Sequence, residues 1–125
     1  MILIVDDNKE DWKLFEKIII QLYPDKNIKI HYAESASEAR KLLLINEYKV
    51  IFLDVYLRSE DGIVLLSEIK NSPIIKSNTI VVMSSVIREI DKVTCDELNA
   101  LYIEKQMTFD ANKAQLKHLL DPVFA

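Results

Sequence analysis

Five short strand-forming runs recur along this chain, and a helical pattern follows each one. The runs are ILIV at 2–5, IKIHY at 28–32, VIFL at 50–53, TIVVM at 79–83 and LYIE at 101–104. Three are almost wholly apolar, as strands buried on both faces of a sheet should be. IKIHY alternates apolar with polar residues, which predicts a strand nearer an edge. Between the runs, apolar residues recur at helical spacing. Trp12, Phe15, Ile19 and Leu22 share one face, and Pro24 closes that stretch. Ser35 with Glu38 reads as a capping box ahead of Ala39, Leu42 and Leu43. Asp61–Gly62 shapes a turn before a third helix, marked by Ile63, Leu66 and Ile69 and ended before Pro73. Ile87, Ile90 and Val93 mark a fourth. Asn99 stands where that helix must turn back, and Asn tolerates the left-handed conformation. Leu116, Leu119 and Leu120 mark a fifth, closed near Pro122.

Five β-α units in series predict an α/β domain, a parallel sheet covered by helices on both faces. The length, 125 residues, suits a single domain spanning 1–125. The net charge of -4 gives no bulk attraction to nucleic acid. The apolar runs are too short to cross a bilayer, and Asp6 and Asp7 interrupt the start before a signal-peptide stretch could form. Cys95 is the sole cysteine, which excludes an internal disulfide and agrees with a reducing compartment. The expected location is the cytoplasm. Cys95, His31, His118 and Trp12 are expected to be ordinary packing or surface residues.

In open parallel sheets, ligands bind beyond the carboxyl ends of the strands. The first strand ends in Asp6 and Asp7, the third in Asp54, the fourth in Ser84 and Ser85, and the fifth in Glu104 and Lys105. One rim thus collects three aspartates, a glutamate, hydroxyls and an ammonium. Three carboxylates in one crevice resist simultaneous ionisation. A divalent cation relieves the repulsion, and clustered carboxylates suit Mg²⁺. Three aspartates, one dication and one lysine balance to zero charge. A metal and a lysine together also make a clamp for a transferring phosphoryl group, and an aspartate can accept one as an acyl phosphate.

With these residues in place, the chain resembles the receiver domain of bacterial two-component response regulators. The resemblance covers nearly the whole chain and rests on ILIVDD, VIFLDVYLRSEDG, IVVMSS and LYIEK in order. It implies a doubly wound (βα)5 fold of the flavodoxin or CheY-like kind, with strand order 2-1-3-4-5. It implies that Asp54 is the phosphoacceptor, and that Asp6, Asp7, Asp54 and the backbone carbonyl of Tyr56 bind Mg²⁺. Asp7 would be a direct ligand and Asp6 one acting largely through water. Ser84 matches the hydroxyl that closes on the phosphoryl group, Lys105 the neutralising lysine, and Tyr102 the aromatic that swings inward on activation. The implied donor is a sensor histidine kinase or a phosphotransfer protein. The implied output is a downstream protein or domain, read by the face of helix four, strand five and helix five. That face is also the expected route to a dimer. Direct binding to nucleic acid or membrane is not expected.

Some positions depart from the family pattern. A proline usually follows the lysine, in a cis peptide; Gln106 stands here, and a trans bond is expected because a non-proline cis bond costs about 2.5–4 kcal/mol. Arg58 replaces a frequent proline, which predicts a more mobile loop. Tyr56 and Val86 carry no group to orient an attacking water, which predicts slow self-dephosphorylation. Two other functions compete. One is a Mg²⁺-dependent phosphohydrolase using an aspartyl-phosphate, although Val55 and Tyr56 break the Asp-x-Asp pattern of one such family. The other is a phosphate-blind interaction module. The sequence is compatible with a stand-alone receiver or with a piece of a longer regulator.

Overall fold

The computed structural model describes residues 1–57, 60–75 and 78–125. Strands β1 (Ile2–Val5), β2 (Ile30–Ala33), β3 (Val50–Asp54), β4 (Thr79–Ser84) and β5 (Leu101–Glu104) alternate with helices α1 (Lys9–Leu22), α2 (Ala36–Ile45), α3 (Gly62–Asn71), α4 (Glu89–Glu97) and α5 (Phe109–Phe124). The strands form one parallel sheet in the order β2-β1-β3-β4-β5, as expected.

Successive side chains on a strand point to opposite faces, and the core divides accordingly. Ile2, Ile4, Val50, Phe52, Val81 and Met83 pack against α1 and α5 through Phe15, Ile19, Leu116 and Leu120. Leu3, Val5, Ile51, Leu53, Ile80 and Val82 pack on the other face, against Leu43 of α2, Leu66 of α3 and Cys95 of α4. β1 and β3 are fully buried because both of their faces are covered. β2 lies at an edge, as its alternating sequence predicts, but it starts at Ile30 rather than Ile28.

Two helices differ from expectation. Ile90 and Val93 of α4 face solvent, and Ile87 precedes the helix. The buried α4 residues are Cys95 and Asp91. Periodicity finds a stripe but not its direction, and Asp91 can be buried because Arg88 binds both of its oxygens. Pro122 does not close α5; it lies inside it. Pro122 has no N–H to donate to the carbonyl four residues back, yet the helix continues past it, the Ala125 N–H donating to the Asp121 carbonyl at 2.8 Å. Pro24 and Pro73 do follow the ends of α1 and α3, and Asn99 takes a positive φ of 56°. Arg58 lies outside the described residues. Among the described residues, no helix is long and apolar enough to cross a membrane.

Candidate metal and phosphoacceptor site

Strand register brings the rim residues together. Val5 pairs with Leu53, so the residues next in the chain, Asp6 and Asp54, leave the sheet side by side. Asp54 itself pairs with Met83, which sets Ser84 next to it across the ladder. Ser84 pairs with Glu104, and Lys105 comes next, its N–H donating to the Ser84 carbonyl at 2.8 Å.

Asp6 is fully buried, Asp54 is 5% exposed and Asp7 is half-buried. Each offers a carboxylate oxygen within 4.8 Å of the others, so the cluster could hold a metal ion. An all-oxygen donor set is what hard dications take. Asp6 Oδ1 accepts the Asn8 N–H at 2.9 Å, and Asp54 Oδ1 accepts the Tyr56 N–H at 2.9 Å. Lys105 Nζ donates to Asp6 Oδ2 at 2.9 Å and to Asp54 Oδ2 at 2.8 Å. A carboxylate oxygen can accept more than one bond, so these contacts leave capacity for a cation.

Burial pushes the Asp6 carboxyl up to about 6; the Asn8 N–H and Lys105 counter this, and the charge of Asp54 adds to it. Burial by itself would lower the Lys105 ammonium. Its bonds to Asp11 and Asp54, with the charges of Asp54 and Asp6, outweigh burial and hold it raised.

A fourth carboxylate joins the site. Asp11 Oδ2 accepts from Lys105 Nζ at 2.8 Å. Asn8 caps α1 by accepting the N–H groups of Glu10 and Asp11, and so aims the first turn at the rim. Sequence reasoning missed Asp11 because an acid in a first turn has a sufficient local explanation in the helix dipole. Its one signal was position: it is a carboxylate close after the rim pair.

The lone glycine also belongs to the site. A Cβ on Gly62 would lie 2.0 Å from the Asp54 carbonyl oxygen. Its φ is not positive, so close approach, not turn conformation, requires glycine here. Asp61 caps α3 through the Ile63 N–H, and the Gly62 N–H donates to the Val55 carbonyl at 2.7 Å, which docks α3 onto the end of β3.

The remaining expected residues are less tightly engaged. Ser84 is buried, and its Oγ accepts the Val86 N–H at 3.3 Å. Tyr56 is exposed, with the Arg88 guanidinium 6.0 Å from its ring centroid, and Val86 is exposed. Tyr102 lies on β5, 36% exposed. The Lys105–Gln106 peptide is trans, as expected. Cys95 is buried, and burial pushes its thiol up to about 11, which fits an inert packing residue. His31 is occupied by Tyr48, 2.7 Å from Nδ1.

Residues 2–117 match the model of the response regulator receiver domain. Stress response regulator protein 1 of Scheffersomyces stipitis is 29% identical over 83 residues, which is 66% of this chain and 28% of that protein. Its counterpart in Clavispora lusitaniae is 29% identical over 70 residues, 56% of this chain and 36% of that protein. The chain therefore spans only about a third of the curated relatives it matches. Among solved structures, the phosphorylated cyanobacterial phytochrome response regulator RcpA superposes with a TM-score of 0.83 at 25% identity, covering 96% of this chain and 90% of that one. A two-component response regulator from Clostridium difficile superposes with a TM-score of 0.75 at 25% identity, covering 99% and 98%. With the sheet order, the acidic rim and the family match in agreement, this chain belongs to the response regulator receiver domain family of two-component signalling.

Proposed function

We propose that residues 1–125 act as a single receiver domain that takes a phosphoryl group onto Asp54 and uses it as a switch. Receiver domains interact with histidine kinases and output domains. The donor is a phosphohistidine on a kinase or phosphotransfer protein. Its N–P bond breaks as an Asp54 oxygen forms the new O–P bond, and the released imidazole takes up a proton. When bound, Mg²⁺ would draw charge from the transferring oxygens, held by Asp6, Asp7, Asp54 and the Tyr56 backbone carbonyl. Lys105 orients Asp54 before transfer and neutralises the added charge after it. Ser84, whose Oγ accepts from the Val86 N–H, donates its hydroxyl hydrogen to a phosphoryl oxygen, and Tyr102 moves inward. The face of α4, β5 and α5 then changes shape, and an output partner or a second copy that prefers one shape reads the state. The exposed Tyr56 and Val86 offer no side-chain acid or amide to an attacking water, so self-dephosphorylation is slow. The domain is a cytoplasmic phosphoacceptor rather than an enzyme of many turnovers.

The observation that carries this reading is the meeting of Asp6, Asp7 and Asp54 within 4.8 Å with Lys105 bonded to Asp54. The likeness to a phosphorylated response regulator supports it. Incubation with acetyl phosphate and Mg²⁺, followed by intact mass, tests it. Wild type should gain one phosphoryl group, and Asp54→Asn none. An unchanged wild-type mass would overturn the reading, and repeated turnover of the donor would favour a hydrolase.

A further inference from the structure

Lys105 carries the charge that meets Asp54, but Lys105 is the first residue after β5, in the loop that leads to α5. Something must hold that loop. On its strand side, the Lys105 N–H donates to the Ser84 carbonyl at 2.8 Å, and Gln106 Nε2 and Gln115 Nε2 each donate to the Glu104 carbonyl at 2.9 Å. On its helix side, one side chain binds both backbone groups of Gln106. Asn112 Oδ1 accepts the Gln106 N–H at 2.8 Å, and Asn112 Nδ2 donates to the Gln106 carbonyl at 3.2 Å.

Asn112 is 2% exposed and belongs to the buried stripe of α5 with Leu116 and Leu120. Packing alone would favour an aliphatic residue there, because a buried amide is costly unless its polar atoms are bonded. Here both polar atoms are bonded, and both bonds go to the residue next to Lys105. Gln106 has a backbone N–H that needs a partner and a φ that no ring constrains. The amide meets both needs at once. The α5 helix is thereby tied to the peptide unit that leaves Lys105.

We propose that Asn112 is a positioning residue for Lys105: its buried amide, paired with both backbone groups of Gln106, sets the path of the β5–α5 loop and hence the aim of the ammonium at Asp54. The functional consequence rests on the phosphoacceptor role proposed for Asp54. The Asn112 amide bonds to Gln106 and not to Asp6, Asp7 or Asp54, so its loss should slow phosphoryl transfer and spare metal binding.

Asn112→Leu and Asn112→Asp test this in the full chain. The aspartate keeps an acceptor for the Gln106 N–H and loses the donor to its carbonyl. Phosphoryl uptake from acetyl phosphate at saturating Mg²⁺ should fall by about tenfold or more in Asn112→Leu and by less in Asn112→Asp, because small misplacements of a reacting group are costly. Mg²⁺ affinity, measured by calorimetry, should stay within about twofold of wild type, since Asp6, Asp7 and Asp54 belong to the ends of β1 and β3 and not to the β5–α5 loop. The ¹⁵N resonance of Lys105 Nζ, whose protons are sheltered by three aspartates in wild type, should broaden in Asn112→Leu. Wild-type rates in both variants would overturn the proposal, as would an equal loss of rate and Mg²⁺ affinity. If Asn112→Leu does not fold, the rate and resonance of Asn112→Asp decide. If wild type takes up no phosphoryl group, the phosphoacceptor reading fails instead. The Lys105 resonance then still judges the positioning claim, and a signal as sharp as in wild type would refute it.

Discussion

The two ends of the parallel sheet are built on opposite plans. At the amino end, backbone closes the strands: the Ile2 N–H donates to the Lys29 carbonyl, Lys49 to Met1 and Thr79 to Lys49. Leu44, Ile45 and Ile74 nearby are exposed apolar side chains, and the charged Glu47 and Lys49 beside them form no buried acidic cluster. At the carboxyl end, Asp6, Asp11 and Asp54 converge on one lysine, and two of the three are buried. The first end is complete in itself. The second gathers three carboxylates on one ammonium, and Asp6, Asp7 and Asp54 there could hold a metal ion. One sheet thus separates an end closed by backbone bonds from an end rich in buried acids.

Removing the cation side chain should break this contrast most severely. Lys105→Ala leaves buried carboxylates without their counter-charge and should destabilise the metal-free protein by about 3–5 kcal/mol in urea denaturation. Added Mg²⁺ should restore part of that loss. A cost near zero would mean that the acidic end tolerates its own charge.

Asp6 should show the strain as a pH dependence. Its carboxyl holds a proton more tightly in the folded chain than at the ordinary value of 3.8. The stability this contributes is full below 3.8 and is lost as pH climbs through about 6. Metal-free protein should therefore weaken across that window. Asp6→Asn should flatten the curve and stabilise the neutral, metal-free protein by up to about 3 kcal/mol. A curve that rises with pH through the same window, followed by chemical denaturation, would contradict the assignment.

Gly62→Ala should cost about 1–3 kcal/mol, because the new methyl group must displace the Asp54 backbone. Phosphoryl uptake should fall with it. Ile45→Ser, at the amino end on a side chain 78% exposed, should shift the thermal midpoint least, by the equivalent of under about 0.5 kcal/mol. If Ile45→Ser cost as much as Gly62→Ala, the two ends would not differ as described.

Much of this was legible in the chain itself. Strand runs are local patterns, and their last residues point at the rim whatever the helices do, so Asp6, Asp7, Asp54, Ser84 and Lys105 could be named in advance. The trans bond before Gln106 followed from local amide energetics. The direction of α4 was not legible. Its sequence has apolar residues on one side, yet that side faces solvent, and the buried side holds Asp91, neutralised by Arg88. Gly62 was read as a turn residue, and the neighbour it must avoid, Asp54, became apparent only when α3 was docked.

By itself, then, the amino-acid order determined five β-α units, a parallel sheet and an acidic rim with a lysine beside it. Those properties depend on periodicity and on the residues at each strand's carboxyl end, both of which act between near neighbours. Only the tertiary structure decided that Asp11 reaches Lys105 across 94 positions and that Asn112 grips the backbone of Gln106. Such contacts depend on where α1 and α5 rest on the sheet. That placement is set by the summed packing of both helices against one face of the core, not by any short stretch of chain.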